Sequence, residues 1–381
     1  MRASTLAKNV VDNLGVLRDA TQVVNLKVLK SMLGPAWRGL VEQRAKRSEI
    51  TEIPTAYTAR FDWAYHRDQP ELASLYSKAK ASQWNAETDL DWSIEVDPHH
   101  PERTLIMDEI LPLEQVPAYR GLPRRQQQVQ KHGLLSWMLS QFLHGEQGAL
   151  FAACQLTEAV SSMDGKFYGS TQVVDEGRHV EVFHRYLTEK LGKLYQINDN
   201  LYVLIDALMS DGRWDIKFLS MQIMIEGLAL GAFGTMRHHT EEPLLKELLR
   251  YVITDEARHV HFGVVALRDY YLNALTEKER QEREDWAFET SVLMRNRFLA
   301  HEFYDEFYGH VMRRSAWNRL ILESEFMSRF RTSMFRRIVP NLKRIGLLSE
   351  RIRPHYQKLG LLAFEHDKAA PDLTTHEVLA A

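Results

Sequence analysis

The pentapeptide Asp175-Glu176-Gly177-Arg178-His179 returns 80 residues later as Asp255-Glu256-Ala257-Arg258-His259, and the reading of this pair decides the fold. In each copy Glu and His are three apart. On a helix that spacing puts a carboxylate and an imidazole on one face, a turn apart, where both can ligate one ion. Bare Glu-x-x-His is weak evidence, because composition alone supplies roughly one chance match in a chain like this. A third copy, Glu181 to His184, does occur. It starts five residues after Glu176, a rotation of roughly 140° about the helix, so the two cannot both point inward. The longer Asp-Glu-x-Arg-His pattern is expected well below about 0.01 times per chain, and it occurs twice.

Working outward, Glu146 precedes Glu176 by 30 residues and Glu226 precedes Glu256 by 30, so the offset of 80 holds at 146 and 226, 176 and 256, and 179 and 259. Thirty residues is about the length needed to climb one helix, turn, and descend an antiparallel neighbour to the same height. The sequence therefore predicts a duplicated two-helix unit whose four carboxylates and two imidazoles meet at one level. Glu158 competes with Glu146 for the first position, but it lies too close to the turn before Glu176. Four buried glutamates would each cost several kcal/mol or be protonated. Two divalent cations cancel their charge, and oxygen-rich coordination with one imidazole per ion suits iron or manganese better than zinc. Asp175 and Asp255 are placed to accept the free ring N–H of a ligand His on a neighbouring helix, with Arg178 and Arg258 neutralising them.

The rest of the 381 residues agrees with an all-α chain. Apolar residues make up 45% and charged residues 26%, Gly and Pro are sparse at 19 and 12, and 48 Lys plus Arg face 51 Asp plus Glu for a net charge of -3. That balance disfavours nucleic acid and anionic membrane surfaces as partners. Cys154 is the only cysteine, which excludes an intrachain disulfide and a thiolate metal site. The N-terminal stretch lacks the apolar core of a signal peptide, so the expected location is cytoplasmic. No run approaches a membrane span. The most apolar window, Phe218 to Phe233, contains Gln222 and Glu226. Helical spacing and punctuation predict long helices at about 124–160, 163–192, 214–239 and 241–273, then charged helices at about 276–309 and 316–345. The expected organisation is one helical domain over 1–365, with its metal-binding core at about 124–273, helical extensions at 1–123 and 274–365, and a flexible tail at 366–381. The charge run Glu277 to Asp285 reads as a solvated helix face.

Glu, then Glu-x-x-His, then the same again, resembles the di-iron carboxylate arrangement of ferritin-like four-helix proteins. The doubled Asp-Glu-x-Arg-His is similar to the hydroxylase subunits of bacterial multicomponent monooxygenases. Trp84 and Asp89-Leu90-Asp91-Trp92 resemble the entry segment of ribonucleotide reductase small subunits. The resemblance covers about 124–273, well under half of the chain. It implies a ferritin-like four-helix bundle core, with Glu146, Glu176, His179, Glu226, Glu256 and His259 as metal ligands and Asp175, Arg178, Asp255 and Arg258 around them.

Three departures narrow the choice. Phe183 stands where radical-storing subunits carry Tyr, Ala229 and Leu230 stand where the monooxygenases carry Thr, and Val252 stands where aryl-amine N-oxygenases carry a third His. Phe142, Phe183, Ala229 and Phe233 are candidate substrate-pocket residues, against the plainer reading of core packing. His144, His184, His238, His239 and His261 read as surface or supporting histidines, and His99 and His100 as loop residues. The implied activity is that of an O2-activating non-haem di-iron oxygenase. It would oxidise a small organic substrate by hydroxylation, N-oxygenation or desaturation, with two iron ions, or manganese in one or both places, and O2 as co-substrate. The chain shows neither a Gly-x-Gly-x-x-Gly nucleotide fingerprint nor a cluster-binding cysteine set, so electrons would come from a separate reductase or ferredoxin. The resemblance also admits a homodimer. The alternatives are an iron-binding or ferroxidase protein without organic substrate, which would need far fewer residues, and a metal-free helical interaction protein, which would leave the buried charge unexplained.

Overall fold

The computed structural model describes residues 3–19, 25–100, 105 and 112–379; Pro101 of the His99-His100 run and the last two residues of the expected tail lie outside them. The chain enters through α1 (Ala3–Asp19), α2 (Leu26–Ala36), α3 (Pro70–Ala81) and α4 (Pro117–Arg120). Asn25 starts α2 by accepting the Lys27 and Val28 amides on its side-chain oxygen. Next comes α5 (Arg124–Ala159), which reverses over 160–162 into α6 (Met163–Arg185). Ser162 caps α6, and the helix runs on through π turns at Tyr186–Leu191 to Gly192, whose φ of +62° ends it in the left-handed conformation glycine favours.

After α7 (Asp199–Ser210), one continuous rod spans α8 (Trp214–Phe218), π turns Leu219–Ile225 and α9 (Glu226–His239). It reverses into α10 (Pro243–Asp269) at Glu242. The Glu242 carboxylate accepts the Leu244 and Leu245 amides at 2.8 and 2.7 Å, and the Tyr186 hydroxyl donates to it at 2.7 Å. That single side chain therefore caps α10 and fastens it to the end of α6. The remaining helices are α11 (Glu277–Arg297), α12 (His301–Phe307), α13 (Arg314–Glu323), α14 (Glu325–Arg344), α15 (Arg353–Lys358) and α16 (Thr375–Leu379), and there is no strand among the described residues.

The centre is four-helical, as expected: α5 lies along α6, α9 along α10, and α6 faces α10. Inward residues such as Leu139, Phe142, Val182, Phe183, Leu228, Phe233, Val252 and Phe262 are buried. Each contributes about 1.5–3 kcal/mol relative to exposure. The extensions cover this bundle, with α3 over α6 and α10, α14 over α9, and α7 and α11 over the rod's π segment. The 214–239 rod is long and apolar enough to cross a membrane by length and composition, but 94% of its most apolar window is buried inside the molecule.

Five expectations need correction. Helix α7 was not anticipated. The helix expected over 276–309 breaks at 298–300, where Ala300 takes φ +48°, and that over 316–345 breaks at Ser324, whose hydroxyl caps α14 by accepting the Met327 amide at 3.0 Å. The run 277–285 is no solvated face beyond its first turn, since Glu282, Arg283, Glu284 and Asp285 are buried. Asp215, Arg213 and Arg351, supplied by other elements, pair with them. Finally, the tail folds back: Val378 is buried and Arg337 donates to the Glu377 carbonyl at 3.1 Å.

Glycine matters most at Gly263, on α10. A Cβ there would meet Gln222 Cβ at 2.4 Å, so the absence of a side chain lets α10 approach the π segment. Gly263→Ala is therefore expected to lower stability by about 1–3 kcal/mol, read as a fall in the denaturant midpoint at unchanged helical content.

Candidate metal centre

Each half of the duplication delivers its candidate ligands from a helix pair. Glu146 comes from the middle of α5 and Glu176 and His179 from α6; Glu226 comes from the first turn of α9 and Glu256 and His259 from α10. All six are buried. Glu146, Glu176, His179 and Glu256 each offer a ligating atom within 4.8 Å of one another, and so do Glu176, Glu226 and His259. The two imidazoles lie 5.9 Å apart, centroid to centroid.

The central carboxylates reach both histidines. Glu176 places Oε2 3.5 Å from His179 Nδ1 and Oε1 3.1 Å from His259 Nδ1, while Glu256 places Oε1 3.2 Å from His179 Nδ1 and Oε2 3.6 Å from His259 Nδ1. Glu146 approaches His179 Nδ1 alone, at 3.2 Å. Two carboxylates thus span a pair of positions, and each position has its own imidazole and its own outer glutamate.

On their far sides the rings meet the aspartates of the opposite pentapeptide. His179 Nε2 lies 3.3 Å from Asp255 Oδ2 and His259 Nε2 3.2 Å from Asp175 Oδ2. Arg178 donates to Asp175 and Arg258 to Asp255, each three residues along its own helix. Arg178 also reaches across to Asp255 at 3.3 Å. Each ring can therefore donate Nε2–H to an aspartate while Nδ1 points a lone pair into the centre.

The fit to cations shows in what lacks a partner. Glu176 Oε2, Glu226 Oε2, both Glu256 oxygens and His259 Nδ1 are buried without a well-aligned hydrogen bond, the contacts of these Glu176, Glu256 and His259 atoms at 3.1–3.6 Å being only with one another's residues and with His179. Buried polar atoms are rarely left so, and these are oxygen and imidazole donors converging on one space. Burial, reinforced by neighbouring carboxylates, pushes Glu146 and Glu226 well above the usual carboxylate range. Burial alone would raise Glu176 too, but the two imidazoles hold it well below that range. Burial alone would lower both histidines, yet the surrounding carboxylates raise them well above the ordinary value. Without cations the cluster must find its positive charge in protons, and two divalent ions would replace them.

Sequence reasoning missed several supporting residues. Gln172 donates to Glu176 at 3.1 Å and to Glu226 at 3.0 Å, and Gln83 donates to Asp175 at 3.2 Å. The signal for Gln172 was a polar residue one turn before a ligand on an inward stripe. Trp84, noted only for its resemblance, donates its indole N–H to Asp255 at 2.8 Å, stacks on Tyr251 and lies under the Arg178 guanidinium. Phe142, Phe183 and Phe233 form one cluster with centroids 4.6–6.1 Å apart, one turn from Glu146 and His179, and Ala229 is half-buried. Glu158 and His184 are exposed, His144 lies beside the Tyr195 carbonyl and His261 beside Glu71, all outside the cluster.

No family model matches the chain, and no curated protein matches it. Among solved structures, a variant of an R2-like ligand-binding oxidase with anaerobically reconstituted Mn/Fe cofactor aligns at 17% identity, covering 69% of this chain and 93% of that one, with a TM-score of 0.42. A second such variant aligns at 18% identity over 76% of this chain and 96% of that one, TM-score 0.42. The R2-like ligand-binding oxidase with aerobically reconstituted metal cofactor after photoconversion aligns at 15% identity over 69% and 93%, TM-score 0.41.

Proposed function

We propose that the chain is an O2-activating dimetal oxidase that oxidises a small organic substrate, with two iron ions, or manganese in one or both places, held by Glu146, Glu176, His179, Glu226, Glu256 and His259. The observation that carries this is the set of unpartnered buried donor atoms arranged as two positions spanned by Glu176 and Glu256. Such a metal pair, when bound, supplies the reduction of O2 and the oxidising power toward the substrate. The protein's own part is to hold the charge and keep water out. Asp175 and Asp255 fix the ring orientation of the histidines, Gln172 steadies Glu176 and Glu226, and the Phe142, Phe183 and Phe233 cluster seals one side against solvent. Electrons would come from a separate reductase or ferredoxin, a reading supported by a sequence with neither a Gly-x-Gly-x-x-Gly nucleotide fingerprint nor a cluster-binding cysteine set.

The test is metal per chain after anaerobic iron loading, followed by O2 consumption with and without candidate substrates. Close to two metals per folded chain with substrate-dependent O2 uptake is expected. A folded protein that takes up neither iron nor manganese overturns the reading, and metal with substrate-independent O2 uptake replaces it with a ferroxidase. Trp84→Phe keeps the ring stack but removes the hydrogen bond to Asp255. It should weaken metal affinity roughly tenfold, measured by competition with a chelator.

A further inference from the structure

The candidate ligands repeat at an offset of 80, but the residues one turn before them do not. Gln222 stands four before Glu226 where Phe142 stands four before Glu146, and Gln172 stands four before Glu176 where Val252 stands four before Glu256. All four of these side chains are buried. Two matching ligand sets therefore differ in what surrounds them: a pair of carboxamides in one, and at the equivalent positions of the other a phenyl ring and an isopropyl group.

Both carboxamides meet at a single atom. Gln172 Nε2 donates to Glu226 Oε1 at 3.0 Å, and Gln222 Nε2, brought there by the π turns Leu219–Ile225, reaches the same oxygen at 3.5 Å. Their own carbonyl oxygens are left buried without a donor, an arrangement that costs free energy and that the pull of the carboxylate offsets. Glu226 thus has Oε1 occupied and Oε2 free. Glu146 is different. The only group at hydrogen-bond distance from it among the described residues is His179 Nδ1, at 3.2 Å. An ion entering between Glu146 and His179 must part that contact, whereas Glu226 Oε2 and His259 Nδ1 have no well-aligned bond to give up.

We propose that Gln172 and Gln222 are positioning residues that make the two metal positions unequal: by holding Glu226 to ligation through Oε2 alone, they cause the position of Glu226 and His259 to fill first and retain its ion, and leave that of Glu146 and His179 exchangeable. The inference rests on the function proposed above. A ligand already oriented by its neighbours loses less freedom when an ion arrives, and removing such a partner typically lowers affinity by about 10–100-fold. Gln172 also donates to Glu176 at 3.1 Å, a carboxylate that approaches both histidines, so Gln222 is the cleaner probe.

The experiment titrates the metal-free chain with Mn(II), the free ion being read by its electron paramagnetic resonance, and anaerobically with Fe(II) against a chelator. Wild type, Gln222→Met and Gln172→Met are compared, with circular dichroism on each. Wild type should take two ions, the first about tenfold or more tighter than the second. Gln222→Met keeps the volume and loses the donor. It should weaken the first step roughly tenfold and leave the second unchanged. The same substitution should weaken the retained step equally in a Glu146→Gln background and have no further effect in a Glu226→Gln background, a pattern that general loosening of the core would not give. Equal steps in wild type, an unchanged first step in Gln222→Met, or the same effect in both backgrounds overturns the inference and leaves the dimetal reading intact. Should Gln222→Met not fold, Gln172→Met takes its place in the same cycle. A folded wild type that binds neither ion sinks the dimetal reading and this inference with it.

Discussion

Glu176→Ala combined with Glu256→Ala should take the folded chain from about two bound metals to none, an affinity loss of about a thousandfold or more at each position. The two residues are the ones whose oxygens approach both histidines, so each removal strips a ligand from both positions at once. What remains is one imidazole and one outer glutamate at each place, too few donors to displace the hydration shell of iron or manganese. The apo fold should survive, because the deletion removes negative charge from a cluster in which burial and neighbouring carboxylates already push Glu146 and Glu226 well above the usual carboxylate range. Elemental analysis of wild type and double variant, with circular dichroism as the folding control, reads the outcome. Two metals retained in the double variant would mean the cations lie elsewhere and would remove the basis of the proposed function. Glu146→Gln and Glu226→Gln should behave differently, each weakening chiefly the position nearer to it, because neither outer glutamate reaches both groups of ligands.

The site was legible in the sequence because a helix converts spacing into direction. Glu176 with His179, and Glu256 with His259, had to share faces, and the offset of 80 required the halves to meet as equivalents. The aspartates were expected to meet a histidine on a neighbouring helix, and the structure shows that each meets the histidine of the other half, at 3.2 and 3.3 Å. Gln83 and Trp84 illustrate the opposite case. They come from just beyond α3, outside the four central helices, and nothing periodic connects position 84 to position 255; only tertiary packing brings the indole to the carboxylate. The π segment before Glu226 was equally invisible, since its extra residue per turn answers to the close approach at Gly263 and not to a local preference. The charge run at 277–285 was misread for a related reason. Charge predicts exposure only when no partner is at hand, and the partners here lie 60 or more residues away.

That last point makes the second large prediction. Arg283→Met should destabilise the metal-free fold by about 3–5 kcal/mol, because it leaves Asp215 buried with its counter-ion gone. Arg283 Nε lies 2.8 Å from Asp215 Oδ2 and a terminal nitrogen 3.3 Å from Oδ1, with both side chains almost wholly shielded. The Asp215 carbonyl meanwhile accepts from the Tyr271 hydroxyl at 3.1 Å, so the first turn of α8 is held between α11 and the end of α10. Removing both charges as Arg283→Met with Asp215→Leu should recover most of the loss, since an apolar pair of similar size avoids the desolvation that the ion pair must offset. Urea midpoints for wild type, the two single variants and the double variant form the cycle that separates these cases. A coupling of several kcal/mol places this pair in the interior and makes the C-terminal extension part of the same folding unit as the rod that carries Glu226. A coupling below about 1 kcal/mol is the value of a solvated surface bridge. It would restore the exposed-face reading of 277–285 and detach the extension from the stability of the core.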